Sequence, residues 1–315
     1  MDGARAQLIA DGGAAATADE LFRSAEFHRA EGITHTLRVA SPGRTASVAV
    51  AVAPAPGGAR TDAVSAYGYP GAAVEGDGEA PHAREVDWAP TGLVSVFVRE
   101  RLSGHPFLAG ATERSRVFVY DPQRPRAVRR RLAEQVRRLR RRGYEAASLR
   151  GADAGDAERA AFHSAYTETM RAAEAAERYF LDRRYLDAVL DFPRAWLVLA
   201  RSPEGEMVAG AIAGVSDGHL HYFLGGTVDA ARSESPFKLV MDATLDLADA
   251  QGLPLNLGGG YRPGDGLERF KRGFANSEAV FRTHEVVCDP AAYEELSGGR
   301  ADAAGFFPAY RAQVD

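Results

Sequence analysis

The residues with the most chemical promise sit together at 255–274. An apolar, strand-like stretch runs into Gly258, Gly259 and Gly260, then a turn, then Phe270, Lys271, Arg272, Gly273 and Phe274. Glycine is used where backbone must turn sharply or approach another group closely. Lysine is rare in this chain: it occurs at Lys238 and Lys271, and the other 36 of the 38 basic residues are arginine. A lysine kept among so many arginines marks a place for a compact, rotatable ammonium. Fixed in a dry site, such a group stabilises negative charge developing on an oxygen. The competing reading is a surface lysine placed by chance.

A second group is electrostatic. Ten arginines and one acid, Glu134, lie between residues 124 and 142. Val128, Leu132, Val136 and Leu139 recur at helical spacing, so the segment reads as an amphipathic helix with an arginine-covered outer face. A solvated face is the ordinary meaning of a charge run. In a chain of net charge -5, so many like charges repel one another, and a polyanionic partner, phosphates above all, becomes the alternative. Arg130, Arg137, Arg138, Arg141 and Lys238 are the candidate phosphate contacts. A third group is aromatic. Tyr67 and Tyr69 flank Gly68 in a constrained turn, and Tyr166 and Tyr222 lie on a helix and a strand; each is a candidate pocket wall, with core packing as the alternative.

Composition narrows the classes. A chain of 315 residues, 45% hydrophobic, has material for two domains. The net negative charge excludes a globally basic DNA binder. Cys288 is the single cysteine, so no intramolecular disulfide forms and a reducing cytoplasm is expected; its strand-like surroundings suggest an inert thiol. No signal peptide is recognised at the N-terminus and no stretch reaches the apolar length of a membrane span. The histidines show no metal-binding spacing, so no metal is expected. The Ala, Gly and Arg bias fits a GC-rich bacterial genome.

These residues need elements to hold them. Residues 1–16 are rich in Ala and Gly and are expected to be loose. Thr17 to Glu20 reads as a capping box opening a helix through Leu21, Phe22, Ala25 and Phe27. Strands are predicted at 34–39, 46–52, 92–99 and 116–120, then the arginine helix over 124–142 and a strand at 144–149. A boundary near 151–155 gives domains 1–150 and 151–315. The second domain reads as helices at 157–178 and 179–190, then antiparallel strands at 195–200, 207–215 and 219–224 with a hairpin at Asp217 and Gly218. Ser235, with Pro236 in the first position, is the expected cap of a helix over 237–250. Strand 253–257 delivers the chain to the glycines, and a last strand covers 280–287. The class is α+β, with mixed α/β sheets.

The order of helix, helix, antiparallel meander, crossover helix and strand resembles an acyltransferase of the GNAT type. In that fold two central strands splay and the acyl donor lies in the gap, here between 219–224 and 253–257. Glycines 225–226 and 258–260 at the two strand ends would admit a ligand to backbone N–H groups. GNAT enzymes that use acetyl-CoA carry a glycine-rich pyrophosphate loop before the crossover helix. Here Arg232, Ser233, Glu234, Ser235, Pro236, Phe237 and Lys238 hold that place, without glycine and with a proline that has no N–H.

From about residue 116 to 294 the chain further resembles the Fem-type aminoacyltransferases (FemABX). The carrying motifs are the arginine helix, the helix His163 to Arg171 with Tyr179 and Phe180, the run His221 to Thr227, Ser235 and Pro236, Leu257 to Gly260, and Phe270 to Phe274. The resemblance implies two tandem GNAT-like domains and transfer of an aminoacyl group from aminoacyl-tRNA to an amine. It places the family's Phe-Lys pair on Phe270 and Lys271, the lysine stabilising charge on the acyl carbonyl. No resident cofactor is implied; aminoacyl-tRNA is a co-substrate, and the acceptor is a small-molecule amine or a cell-wall precursor. Asp265 and Glu268 lie near the motif without a secure role as base. An acyl-CoA-dependent N-acyltransferase and a non-catalytic double-GNAT binding module remain as alternatives.

Overall fold

A computed structural model describes residues 3–14, 16–298 and 306–312. Contacts divide the chain into two compact units: Met1–Ala18, Phe22–Arg114 and Phe281–Asp315 form one, Asp19–Leu21 and Ser115–Val280 the other. The first unit holds β1 (Ala4–Ile9), α1 (Ala25–Ala30), β2 (His35–Ser41), β3 (Arg44–Pro54), β4 (Thr61–Ser65), β5 (Ala73–Gly76), β6 (Val86–Asp87) and β7 (Leu93–Arg99). The chain changes unit inside β8 (Thr112–Tyr120). The second unit continues with α2 (Arg130–Arg141), β9 (Glu145–Arg150), α3 (Asp156–Ala172), α4 (Arg183–Leu190), β10 (Ala195–Arg201), β11 (Met207–Ser216), β12 (His219–Thr227), α5 (Phe237–Gln251), β13 (Leu255–Gly258) and α6 (Gly266–Arg272). The return to the first unit falls inside β14 (Ser277–Val287), which is followed by α7 (Pro290–Ser297).

In the first unit the strands run β6-β1-β2-β3-β4-β7-β14, with β5 paired to β3. Residues 4–9, expected to be loose, are a strand: Ala4 and Ala6 point inward while their neighbours face out, and this period of two was hidden by the alanine bias. The capping box at Thr17 to Glu20 does not open a helix. The helix starts at Ala25, where the Ser24 hydroxyl accepts the Phe27 N–H, and the Thr17 N–H donates to Arg23 O. A Cβ on Gly68 would meet the Phe22 ring at 2.5 Å, so only glycine fits the Tyr67–Tyr69 turn.

The unit boundary lies at Arg114 and Ser115 rather than near residue 150, for two reasons. Strand β9 pairs with β10 along its whole length, and α2 packs against α5, so the arginine helix and the strand after it share the second core. That core includes Phe118, Trp196, Leu239, Leu245, Leu255 and Phe274.

Its strands run β8-β13-β12-β11-β10-β9. Neighbouring residues of a strand point to opposite faces, and Gly225 and Gly226 show what covers each face. A Cβ on Gly225 would strike the Phe237 ring of α5 at 2.6 Å, and one on Gly226 would strike the Ala165 backbone of α3 at 2.5 Å. Helix α5 therefore covers one face and α3 the other. The pair of glycines belongs to this close helix packing. Ser235 is not the cap of α5: it takes a left-handed conformation (φ 55°), Pro236 occupies the cap position and Phe237 begins the helix.

Candidate functional site

Strands β12 and β13 are parallel neighbours for two rungs only, Leu220 with Leu255 and His221 with Asn256. Beyond them β12 stays with β11 as far as Thr227, and β13 stays with β8, where Gly258 pairs with Phe118. Both strands are irregular at the parting. The β12–β11 register shifts between Tyr222 and Leu224, and the β13–β8 register between Asn256 and Gly258. A bulge bends a strand and re-aims its side chains. Here it turns Tyr222 and Gly225, three residues apart, to the same side as Phe237. This is the splayed gap the sequence placed between these strands.

Lys271 lies at that gap. Helix α6 starts because the Asp265 carboxylate accepts the N–H of Glu268 (2.7 Å), Tyr261 (2.7 Å) and Arg262 (2.8 Å). These backbone donors hold the Asp265 carboxyl below the usual carboxylate range. The helix turns Arg269 and Arg272 outward and Lys271 inward, 8% exposed. Its ammonium donates to Gly259 O (2.9 Å) and stands 5.3 Å from the centre of the Tyr222 ring. Burial pushes the amine down to about 8, against a pull upward from Asp265. A fixed cation with few water neighbours, beside a gap between strands, suits a developing oxyanion.

The glycines of 258–260 are filled by this chain. Gly258 takes φ +74°, and a Cβ there would lie 3.0 Å from Lys271 Nζ. A Cβ on Gly259 would meet Arg116 O at 2.7 Å, and one on Gly260 would meet Asp265 Oδ1 at 2.6 Å. The run makes room for the lysine, for β8 and for the cap of α6. Phe270 lies in an aromatic row with Phe237 (6.3 Å between centres) and Phe274 (5.3 Å). Phe237 continues the row to Tyr222 (5.9 Å). Asp265 and Glu268 serve the helix and its turn; Glu268 accepts the Gly264 N–H and pairs with Arg272 at 2.7 Å.

Among the tyrosines, Tyr222 is brought to Lys271. Tyr166 is buried on α3, and its hydroxyl donates to Tyr179 O (2.7 Å), securing the turn at 177–179. Tyr67 and Tyr69 belong to the first unit. The Tyr69 ring meets Phe281 edge-on at 5.1 Å, and Tyr67 is half exposed with the Arg99 guanidinium 5.6 Å from its ring centre.

The arginine segment divides into two sets. Arg126 reaches Asp246 (2.6 Å), Asp242 (2.8 Å) and Asp249 (3.7 Å) on α5, and Arg140 reaches Asp242 (2.8 Å). Arg130 pairs with Glu134 and Arg142 with Glu234. The acidic outer face of α5 thus offsets part of the repulsion. Arg137, Arg138 and Arg141 are exposed and have no ion pair among the described residues. Lys238 sits in the first turn of α5; burial and the nearby Arg131 hold its amine below the usual lysine value. The helix itself covers Arg130–Arg141, shorter than the expected 124–142.

His221 and Asn256, the last rung before the gap, are wholly buried. The sequence reading gave His221 only a pocket or core place and did not single out Asn256. The available signal was a lone amide inside an apolar strand, since a buried polar group needs a partner.

Residues 126–272 match the family model described as an acetyltransferase (GNAT) domain. No curated protein matches the chain in sequence. Among solved structures it is similar to FemX, at 12% identity over 86% of this chain and 92% of that one, with a TM-score of 0.59. It is also similar to a C-terminal domain (DUF2156) assigned to a lysylphosphatidylglycerol synthetase of Agrobacterium fabrum, at 14% identity over 87% and 88% of the two chains, TM-score 0.55. The L-PGS structure from Bacillus licheniformis is a third, at 13% identity over 84% and 87%, TM-score 0.50. The protein has a GNAT-type acyltransferase fold that resembles FemX, with mixed sheets in two GNAT-like units in tandem.

Proposed function

We propose that the protein transfers an aminoacyl group from the ribosyl ester of aminoacyl-tRNA to an amine, forming an amide. The acceptor is a small-molecule amine or a cell-wall precursor. The observation that carries the proposal is the buried Lys271 ammonium at the parting of β12 and β13. In the reaction the amine attacks the ester carbonyl, the carbonyl oxygen gains charge beside the ammonium, and the ribose hydroxyl leaves with its C–O electrons. The amine proton is lost to solvent or to a carboxylate. The ester is already activated, so no covalent enzyme nucleophile is needed. Phe270, Tyr222 and the glycines shape the place of the lysine. Arg137, Arg138, Arg141 and Lys238 are proposed to meet tRNA phosphates, with Arg130 beside them.

The start of α5 supports tRNA over CoA. Residues 229–234 form a short helical turn, Pro236 has no N–H, and the N–H groups of Ser235, Lys238 and Leu239 are used within the turn. Little backbone is left to hold a pyrophosphate. A second reading, acyl transfer from an acyl-CoA, is favoured by the GNAT acetyltransferase model over residues 126–272. The test offers a panel of amines with charged tRNA or with acyl-CoA and reads amide by mass spectrometry. Amide that forms from charged tRNA and is abolished by RNase supports the first reading. Amide that needs the thioester and survives RNase replaces it with the second, and binding of tRNA without amide from either donor leaves a non-catalytic module.

A further inference from the structure

The last rung between β12 and β13 is polar and carries a directed chain of hydrogen bonds toward Lys271. His221 Nε2 lies 3.0 Å from Ser216 O. A carbonyl oxygen only accepts, so Nε2 carries the hydrogen and Nδ1 presents a lone pair. Asn256 Nδ2 donates to that lone pair at 3.1 Å. The amide is thereby oriented, and its Oδ1 accepts the Gly258 N–H at 2.8 Å. Gly258 is held in the left-handed region by that bond, and the next carbonyl, Gly259 O, accepts from Lys271 Nζ at 2.9 Å. Burial drives the imidazole down to about 3, with His219 adding to the effect, so the chain keeps one protonation form across neutral pH.

An apolar pair would join two strands here without burying an amide and an imidazole, at no desolvation cost. The polar rung therefore needs a purpose beyond joining strands, and its direction supplies one. We infer that Asn256, oriented by His221, is a positioning residue: it fixes the Gly258–Gly259 turn and through Gly259 O the place of the Lys271 ammonium in the strand gap. The inference rests on the proposed role of Lys271 for its catalytic meaning. Its structural content is measurable without any donor.

Lysine occurs only at 238 and 271, so protein labelled with 13Cε-lysine gives one carbon signal from each, assigned with Lys238→Arg. The pH titration of the Lys271 signal is compared in the native protein, Asn256→Ala, His221→Ala and Leu245→Ala. The last variant removes a buried side chain from α5 and loosens the same core without touching the rung. Asn256→Ala is expected to move the Lys271 midpoint up toward the ordinary lysine range while Lys238 stays in place. His221→Ala should move it the same way by less, and serves if Asn256→Ala does not fold. In turnover, losing the oriented amide should lower kcat about tenfold with KM nearly unchanged. A Lys271 midpoint that stays put in both rung variants, or moves equally in Leu245→Ala, overturns the inference. Because the titration uses no substrate, it stands apart from the functional reading. Full turnover by Lys271→Met would end that reading and leave the titration to decide this one.

Discussion

The Lys271 ammonium occupies the space in which a side chain at residue 258 would begin: a Cβ on Gly258 would lie 3.0 Å from Lys271 Nζ. The backbone at 258 is also left-handed, at φ +74°. Gly258→Ala therefore meets two costs together, strain in the turn and crowding of the amine. It is expected to lose roughly 1–2 kcal/mol of stability and to impair turnover by more than that loss explains. Denaturant unfolding and initial rates measured on the same preparation check both parts.

The lysine lowers stability at the pH where it works. Its amine titrates near 8 when folded, against 10.5 for a free lysine. Between those values the unfolded chain binds more protons, so this group's contribution to stability rises with pH through that window. Below 8 the full cost of burying the charge is present. Lys271→Met, similar in shape and uncharged, should therefore be more stable than the native protein at neutral pH, by roughly 2–3 kcal/mol. The gain should shrink as pH rises from 8 toward 10.5. Urea unfolding at several pH values measures it; a variant less stable at pH 7 would show that Lys271 holds the fold rather than the chemistry.

The two sets of arginines should separate by experiment. Arg137, Arg138 and Arg141 changed together to Gln should weaken tRNA binding and flatten its salt dependence, by roughly 0.7–0.9 in slope for each phosphate no longer neutralised, with Tm unchanged. Arg126→Gln strands three carboxylates on α5 and should cost about 1–2 kcal/mol of stability while leaving the salt slope in place. Filter binding over a salt series, with thermal melts, tells the two apart.

Acid should act on the buried rung. His221 titrates near 3 when folded and 6.5 when free. Between those values the unfolded chain binds more protons, so stability falls as pH drops from 6.5 toward 3. His221→Phe, if it folds, should lose less stability over that window than the native protein. Thermal melts from pH 7 downward compare the two slopes.

How far the sequence leads depends on the range of the interaction. Lys271 beside the glycine run is legible because both lie within one short segment and lysine is rare here. The strand and helix order from 195 to 258 is legible because the hairpin at Asp217 and the crossover helix are local patterns. Asn256 is not, because its partner His221 lies 35 residues away and nothing in the strand announces it. The glycines at 225 and 226 are visible, but their reason is the Phe237 ring and the Ala165 backbone on other elements. The arginine run misleads in part, since its neutralising carboxylates sit on α5, over 100 residues further on. The alanine-rich β1 is hidden because alanine carries almost no strand signal.

The most direct test of the account is the turnover of Lys271→Met with aminoacyl-tRNA as donor and a competent amine as acceptor. If the ammonium stabilises the oxyanion, kcat should fall about 100- to 1000-fold with donor affinity retained. In the native protein kcat should also decline as pH rises through about 8, where the amine loses its proton. Unchanged kcat in Lys271→Met would contradict the account.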